Sequence, residues 1–215
     1  MHLTFRLVKI DETQRGDHSY LTAADECYFL GEYQPRAGFQ SGDVNNLISN
    51  FKKPVDRRGR AEWHWKEQAI LRVGRLVASA FKADRLGDIT FVPMPPSRVA
   101  TDPMYDDRMA RALLSVPQLE VRQALVMRES ARAHHEYAPG EARPTPDVLY
   151  PLMSFDTDML PLRQVVVLVD DVLTNGTHFV AAKRHVLEHC PDARVLGMFI
   201  GRRKVRDPLE DFEAL

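Results

Sequence analysis

The sequence predicts an α/β protein in which a parallel sheet is flanked by helices, and three observations lead to this prediction. The run VVVLV at 165–169 is apolar throughout, as in a parallel strand that is covered on both faces. A helical pattern at about 178–189 and a second strand at Arg194–Ile200 follow it, which together make a βαβ unit. The 215 residues, 44% hydrophobic and 27% charged, suit one globular domain.

The first part of the chain contributes short extended patterns and two helices. Residues 1–40 mix strand-like runs with turn-prone stretches. Apolar residues at helical spacing predict a helix that runs from about Val44 to Phe51. A basic, turn-rich linker, KKPVDRRGR, separates it from a longer amphipathic helix at roughly 62–83.

Shorter elements lie between this helix and the βαβ unit. A strand near Ile89–Val92 ends in PMPPSR, residues 105–114 indicate a helix, and Ala124–Met127 is a second short apolar run. The polar segment at roughly 128–147 is long for a loop inside a compact domain, and such loops are usually functional or disordered.

Charge and cysteine content exclude several classes of protein. The net charge of −1 gives no field that would draw the chain to nucleic acid or an anionic membrane. No apolar run approaches the ~18 residues of a membrane span, and the N-terminus is charged too early for a secretory signal. Cys27 and Cys190 form no CxxC motif, so neither a disulfide framework nor a zinc site is predicted. We therefore expect a reduced, cytoplasmic protein.

The most informative stretch follows the apolar run at 165–169. Asp170 and Asp171 come at its end, where open parallel sheets bind ligands. The turn Thr-Asn-Gly-Thr then opens a helix, whose first N–H groups favour an anion. Gly176 permits close approach, and Thr174 and Thr177 add hydroxyl donors. The pattern predicts a sugar-phosphate site, with carboxylates for the hydroxyls and the turn for the phosphate.

Two plainer interpretations of this stretch compete with the sugar-phosphate site. The carboxylates could cap the next turn, and Asn-Gly is a common turn dipeptide. An apolar strand followed by an acid is also typical of a Walker B strand, but the chain has no GxxxxGK[ST] motif.

The string VVVLVDDVLTNGT resembles the phosphoribosyl-pyrophosphate (PRPP) motif of the type I phosphoribosyltransferases. The resemblance implies that Asp170 and Asp171 hold the ribose hydroxyls and that the next loop binds the 5′-phosphate. Thr174 stands where purine-type members have an aspartate base, which argues against a hypoxanthine/guanine-type enzyme. Asn175 and His178 replace hydroxyl residues of many members, although the orotate branch tolerates such changes. The implied phosphate loop consists of Thr174, Asn175, Gly176, Thr177 and His178.

A looser resemblance points to the ComF branch of this family, which is linked to DNA uptake in competent bacteria. It covers about residues 25–200 and lacks the four-cysteine zinc module that many ComF proteins carry. By the family pattern, Pro96, Ser97 and Arg98 belong to a pyrophosphate-binding loop after the first core strand. The residues that fit the ComF pattern are Phe29, Tyr33, Leu47, Ile48, Lys52, Pro93, Pro95 and Arg108.

The stretch RESARAHHE at 128–136 resembles the mobile catalytic loop of orotate-type enzymes. The resemblance implies that Arg132 and His134 close over the pyrophosphate, with Arg128 nearby and His135 as the competing histidine. Cations on the leaving group would stabilise the transition state in a closed site. The alternative is a surface loop without a catalytic role.

The resemblance also implies a domain organisation and two functions. Residues 1–85 would form an N-terminal hood and helices packed on the core, 86–203 the PRPP-binding core, and 204–215 a charged tail, with the 128–147 loop completing the hood. One function is phosphoribosyl transfer from PRPP to a nitrogenous acceptor, with pyrophosphate release. Mg²⁺ would be held mainly by PRPP, with Asp170 and Asp171 as the protein contacts considered. The alternative is a non-catalytic PRPP- or nucleotide-binding protein in DNA uptake, repair or regulation.

Other partners stay open at this stage. A homodimer fits the resemblance. Nucleic acid and competence or defence proteins are also considered as partners, although the net charge of the chain does not support them. Trp63 and Trp65 follow the basic linker and could stack on single-stranded nucleic acid, but a solvated linker before a helix is the plainer interpretation. His185 and His189 have the spacing of zinc ligands, yet no acidic or cysteine partner stands out, so packing histidines are expected.

Overall fold

The α/β prediction is confirmed by the structure, a computed structural model that describes residues 5–35, 42–131 and 144–204. Its strands are β1 (Val8–Lys9), β2 (Glu26–Phe29), β3 (Glu32–Tyr33), β4 (Ile89–Pro93), β5 (Glu120–Val121), β6 (Leu125–Met127), β7 (Met153–Phe155), β8 (Val165–Leu173) and β9 (Arg194–Arg203). Its helices are α1 (Glu12–Arg15), α2 (Asp43–Phe51), α3 (Trp63–Ser79), α4 (Arg108–Leu114), α5 (Pro146–Leu149) and α6 (Thr177–His189). Short 3₁₀ turns lie at Val55–Arg57, Ala83–Asp88, Tyr150–Leu152 and Thr157–Met159.

The central sheet is mostly parallel and has the order β1-β2-β9-β8-β4-β5, with β3 also paired to β9. In this sheet only β1 runs antiparallel to its neighbour, and Val167 of β8 lies between Phe91 of β4 and Leu196 of β9. The predicted βαβ unit is therefore β8, α6 and β9. The apolar run at 124–127 lies outside this sheet, since β6 pairs with β7 in a separate antiparallel pair.

Both faces of the sheet are covered, which explains why β8 shows no alternation of apolar and polar residues. Val166 and Leu168 pack with α6, α5 and the β6–β7 pair, on what we term the α6 face. Val167 and Val169 pack with α2, α3 and α4, on the α3 face. Every residue of the run 166–169 is therefore buried.

The N-terminal part of the chain contributes strands to the central sheet. Cys27 and Phe29 of β2 pair in parallel with β9 and are buried in the α6-face core. Sequence patterns near residues 1–40 did not reveal this pairing, because parallel neighbours can be distant in sequence. Within the described parts of the chain, no helix is both long and apolar enough to cross a membrane.

Helix α4, which carries Arg108, is fixed against α3 by a close backbone approach at Gly74. A Cβ atom on Gly74 would lie 2.1 Å from the carbonyl oxygen of Ala112 and 2.7 Å from Ser115 Oγ. Only a glycine allows the two helices to approach this closely.

We predict that Gly74→Ala lowers the free energy of unfolding by about 1–3 kcal/mol, because the added methyl group forces α3 and α4 apart. Gly87→Ala is the matched control, since a Cβ there meets no atom within 4 Å. Urea unfolding of both variants measures the effect. Equal stability of the two variants would contradict the tight α3–α4 contact.

Candidate functional site

The carboxyl ends of β4 and β8 form the point at which the sheet can open towards a ligand. The two strands are parallel neighbours, and the amide N–H of Met94 donates to the carbonyl of Val169 at their ends. After β4 the chain leads to α4 on the α3 face, whereas after β8 it leads to α6 on the α6 face. In open α/β sheets, ligands bind where adjacent strands send their helices to opposite faces. Asp170 and Asp171 lie at this switch point, directly after Val169, the last residue of β8 that pairs with β4. They do not end the strand as predicted, because β8 continues along β9 to Leu173.

Asp171 is buried on the α3 face and contacts two cations. Lys52 Nζ donates to its Oδ1 at 3.1 Å, and Arg108 donates to its Oδ2 at 2.6 Å. Burial alone would raise the pKa of Asp171, but the charges of Lys52 and Arg108 lower it well below its usual value. The predicted ribose contact at Asp171 would therefore have to use lone pairs that these two cations leave free.

The pair between Asp171 and Arg108 continues into a second buried pair. Arg108 also donates to Asp106 at 2.9 Å, and Lys66 Nζ donates to the same carboxylate oxygen at 2.7 Å. Lys66 is fully buried, and it also donates to the carbonyls of Phe51 and Lys53. Burial lowers the pKa of Lys66, and Asp106 opposes that effect. Because its partners are all protein atoms, Lys66 has a structural role.

Asp170 points to the α6 face and remains partly accessible. Its Oδ2 lies 2.9 Å from His178 Nδ1, and its Oδ1 accepts the N–H of Asp171 at 2.7 Å. The side chains of His178 and Asp170 are 30% and 18% exposed, so a ligand at the strand end can reach both. A carboxylate has about four lone-pair sites, so Asp170 can accept further hydrogen bonds.

The Thr-Asn-Gly-Thr turn places α6 with its N-terminus towards the switch point. Gly176 has φ 88°, a left-handed conformation that favours glycine. The N–H of Thr177 donates to Asn175 Oδ1 at 3.3 Å, which replaces a missing intrahelical partner. The next N–H, that of His178, lies in the first turn of α6 and has no intrahelical acceptor. The turn thus has the features expected of an anion site.

Residues of the N-terminal segment support this turn, and sequence reasoning missed them. His18 Nδ1 contacts the carbonyl of Thr174, and the N–H of Tyr20 donates to the carbonyl of Asn175 at 3.0 Å. A carbonyl oxygen can only accept, so His18 Nδ1 is the donor in this contact. Burial lowers the pKa of His18. Leu21 fills the space beside Gly176, where a Cβ would lie 2.8 Å from its Cδ2. The sequence predicted that a ligand approaches Gly176 closely, but in the structure Leu21 of the same chain makes a close approach there.

The predicted pyrophosphate loop follows β4 directly. Its residues Pro96, Ser97 and Arg98 are all partly exposed. The guanidinium Nη1 of Arg98 lies 3.6 Å from Oδ2 of Asp102. The carbonyl of Ser97 accepts the N–H of Ala131 at 2.7 Å. The loop at the end of β4 is thereby joined to the beginning of the long polar segment.

The predicted catalytic residues Arg132, His134 and His135 lie outside the described residues, as does the tail from 205 onwards. The residues on either side of the stretch 132–143 contact the two predicted loops. Ala131 bonds to Ser97, and the carbonyl of Pro144 accepts from Thr177 Oγ1 at 3.2 Å. Ala131 and Pro144 are therefore held at the loop after β4 and at the turn before α6, respectively.

The two histidines and the first of the two tryptophans considered in the sequence have contacts within the chain, whereas Trp65 is exposed. His185 is buried, contacts the carbonyl of Tyr150 and stacks on its ring, and His189 stacks on Phe155. Trp63 lies beside the cations of Arg58 and Lys66. Among the described residues, no group of three or more His, Cys, Asp or Glu side chains could hold a metal ion.

An apolar cavity of about 200 Å³ lies apart from these residues. It lies against the α3 face of the sheet. None of the residues predicted to bind PRPP or to act in catalysis lines it. The residues that line it are Leu7, Tyr28, Phe81, Val167, Leu196, Gly197 and Met198.

Comparison with known proteins adds no family. The sequence matches no protein-family model and no curated protein.

We predict that Asp171→Asn lowers the free energy of unfolding at neutral pH by about 1.5–3 kcal/mol, because the partly exposed Lys52 and Arg108 lose a charged acceptor, while Arg108 keeps its bond to Asp106. The lowered pKa of Asp171 stabilises the wild type above the unfolded value of 3.8, and this contribution is lost as the pH falls below it. Urea unfolding between about pH 7 and pH 3 measures both effects.

Asp171→Asn should lose less stability than the wild type on acidification, since it lacks the Asp171 carboxyl group that titrates. Asp88→Asn is the control, because Asp88 lies on the surface at the start of β4 and pairs with the exposed Arg85. A variant with the acid dependence of the wild type would show that Asp171 does not carry the effect.

Proposed function

We propose that this chain binds PRPP at the switch point and transfers its phosphoribosyl group to a nitrogenous acceptor in the cytoplasm, with release of pyrophosphate. One observation carries the proposal. Where the helices after β4 and β8 diverge, a partly exposed carboxylate, Asp170, lies beside the N-terminus of α6. A sugar phosphate needs this combination, because its hydroxyls are donors and its phosphate is an anion.

The contacts that we propose use groups already present at the strand end. The ribose hydroxyls donate to Asp170, whose carboxylate keeps free lone pairs beside His178. The 5′-phosphate accepts from the backbone N–H groups at the start of α6 and from the Thr174 side of the turn. His178 lies between the two groups, because it bonds to Asp170 from within the first turn of α6.

Transfer breaks the bond between ribose C1′ and a pyrophosphate oxygen and forms a bond to the acceptor nitrogen, which then loses its proton. Positive charge develops on the ribose, so the Asp170 carboxylate beside the sugar stabilises the transition state. Mg²⁺, held mainly by oxygens of PRPP, would neutralise charge on the pyrophosphate. Asp170 fits a contact with such an ion better than Asp171 does, because both oxygens of Asp171 already face cations.

This proposal includes four expectations from the sequence. They are the assignment to the type I phosphoribosyltransferases, the N-terminal hood, the ComF likeness and a homodimer. The anchoring of residues 18–21 on the turn supports a role for the N-terminal segment near the site. The connection of residues 131 and 144 to the two loops supports a role for the segment between them.

We predict that PRPP binds to the wild type in the presence of Mg²⁺ and that Asp170→Ala weakens this binding by about 1.5–3 kcal/mol, the typical contribution of a hydrogen bond to a charged group. His178→Ala should also weaken it, because the carboxylate loses its neighbour in α6. Isothermal titration calorimetry measures the affinities, with Asp88→Asn as the control. The absence of any PRPP signal for the wild type would refute the proposed function.

Activity is tested by pyrophosphate release with a panel of purine, pyrimidine and related bases. We predict release with at least one acceptor, and lower turnover in Arg132→Ala and His134→Ala with little change in PRPP affinity, as for contacts made mainly in the transition state. Wild-type turnover in both variants would exclude a catalytic role for these residues. A protein that binds PRPP tightly but uses no acceptor would support the non-catalytic alternative.

A further inference from the structure

Two consecutive carbonyl groups of the turn before α6 are bonded to the N-terminal segment. His18 Nδ1 donates to the carbonyl of Thr174. The N–H of Tyr20 donates to the carbonyl of Asn175 at 3.0 Å. In a trans peptide unit, as both of these are, the C=O and the N–H point in opposite directions. The N–H groups of Asn175 and Gly176 therefore point away from the N-terminal segment.

This orientation gives the turn the shape of an anion site. Successive N–H groups around a residue in the left-handed conformation form a concavity that binds anions, and Gly176 has φ 88°. The next N–H, that of Thr177, already donates to Asn175 Oδ1 at 3.3 Å. The donors that the turn offers to a phosphate therefore depend on which way the two preceding peptide units face.

His18 is an expensive residue to bury at this place. It is fully buried, and its Nε2 has no hydrogen-bond partner among the described residues. A buried polar atom without a partner lowers stability, and an apolar side chain of similar size would avoid that cost. Packing alone therefore does not explain a histidine here. What the histidine adds is the N–H donor at Nδ1, which holds the carbonyl of Thr174.

The residue before His18 is held by contacts that do not involve the turn. Arg202 of β9 pairs with Asp17 at 2.9 Å and with Glu32 at 2.7 Å. Arg202 lies opposite Leu173, the last residue of β8 before the turn. These ion pairs fix His18 beside the turn before a ligand arrives, which reduces the entropy lost on binding.

We propose that His18 is a positioning residue for the phosphate end of the ligand. It does not touch the ligand, but it fixes the peptide unit between Thr174 and Asn175 so that the N–H of Asn175 faces the phosphate. Without the donor at His18 this peptide unit can turn round, and its carbonyl oxygen would then face the anion and repel it. The inference rests on the proposed function and makes the N-terminal segment a control on phosphate affinity.

The test compares two polar substitutions of His18 in the full chain, with ribose 5-phosphate as the ligand in calorimetry. The side-chain amide nitrogen of asparagine takes the place of histidine Nδ1, whereas that of glutamine takes the place of Nε2. His18→Asn should keep the wild-type affinity within about threefold, and His18→Gln should weaken it by about tenfold or more, because only the first retains the donor to Thr174. Urea unfolding shows that both variants are folded.

His185→Asn is the matched control. His185 is also a buried histidine bonded to a backbone carbonyl, that of Tyr150 at 3.0 Å, and asparagine cannot replace its Nε2. This variant should lose stability and keep the wild-type affinity for ribose 5-phosphate. A loss of affinity as large as that of His18→Gln would mean that general loosening is the cause, and would overturn the positioning role.

Nuclear magnetic resonance and hydrogen exchange test the orientation directly. Ribose 5-phosphate should shift the amide signal of Asn175 in the wild type and in His18→Asn, but not in His18→Gln. Because coupling between two sites is reciprocal, the ligand should also slow exchange of the Tyr20 amide in the wild type.

The outcomes separate this inference from the proposed function. Equal ribose 5-phosphate affinity in His18→Asn and His18→Gln, whether high or low, would overturn the positioning role, because the place of the donor would not matter. An unshifted Asn175 amide in a wild type that binds ribose 5-phosphate would overturn it as well. A wild type that binds neither ribose 5-phosphate nor PRPP would instead refute the proposed function, and this role with it.

Discussion

The Asp171 carboxylate joins three parts of the chain at the edge of the sheet where ligands are expected. It lies in β8, and its partners come from the end of α2 and the start of α4. Burying charge is costly, and the cost is offset only when every charged group has partners with good geometry. Here Arg108 is shared with Asp106, which also holds Lys66, so one connected network fixes the two helices and α3 relative to β8. The positions of Lys52, Lys66 and Arg108 depend on this network.

The opposite face of the same strand end depends on residues far away in sequence. His18, Tyr20 and Leu21 contact the turn before α6 through a side chain, a backbone amide and apolar packing. Arg202, at the end of β9, pairs with Asp17 at 2.9 Å and with Glu32 at 2.7 Å, which holds this segment against the sheet. The turn therefore has its shape from the start and the end of the chain as well as from its own glycine.

Local sequence patterns predicted the parts of this protein that local forces determine. A strand that begins at Val165, a helix that ends near His189 and a strand that begins at Arg194 are visible in runs and periodicities of neighbouring residues, but the continuation of the first strand through the two aspartates to Leu173 is not. The partners of Asp171 are not, because Lys52 and Arg108 are 119 and 63 residues away from it in sequence. The contact between His18 and Thr174 spans 156 residues. A single sequence has no periodic signal for such pairs, so they appear only when the strands are assembled.

Strand β9 has a consequence for how the chain folds. It pairs with β8 on one side and with β2 and β3 on the other, so it joins strands from the beginning of the sequence to those from the second half. Because β9 lies at Arg194–Arg203, a ribosome makes all the other described strands of the sheet before this connection can form. Until then β2 has no parallel neighbour and one edge of β8 is unpaired. The nascent chain thus carries apolar strand edges that are prone to aggregate, and the sheet closes only after β9, the last of its described strands in chain order, has been made.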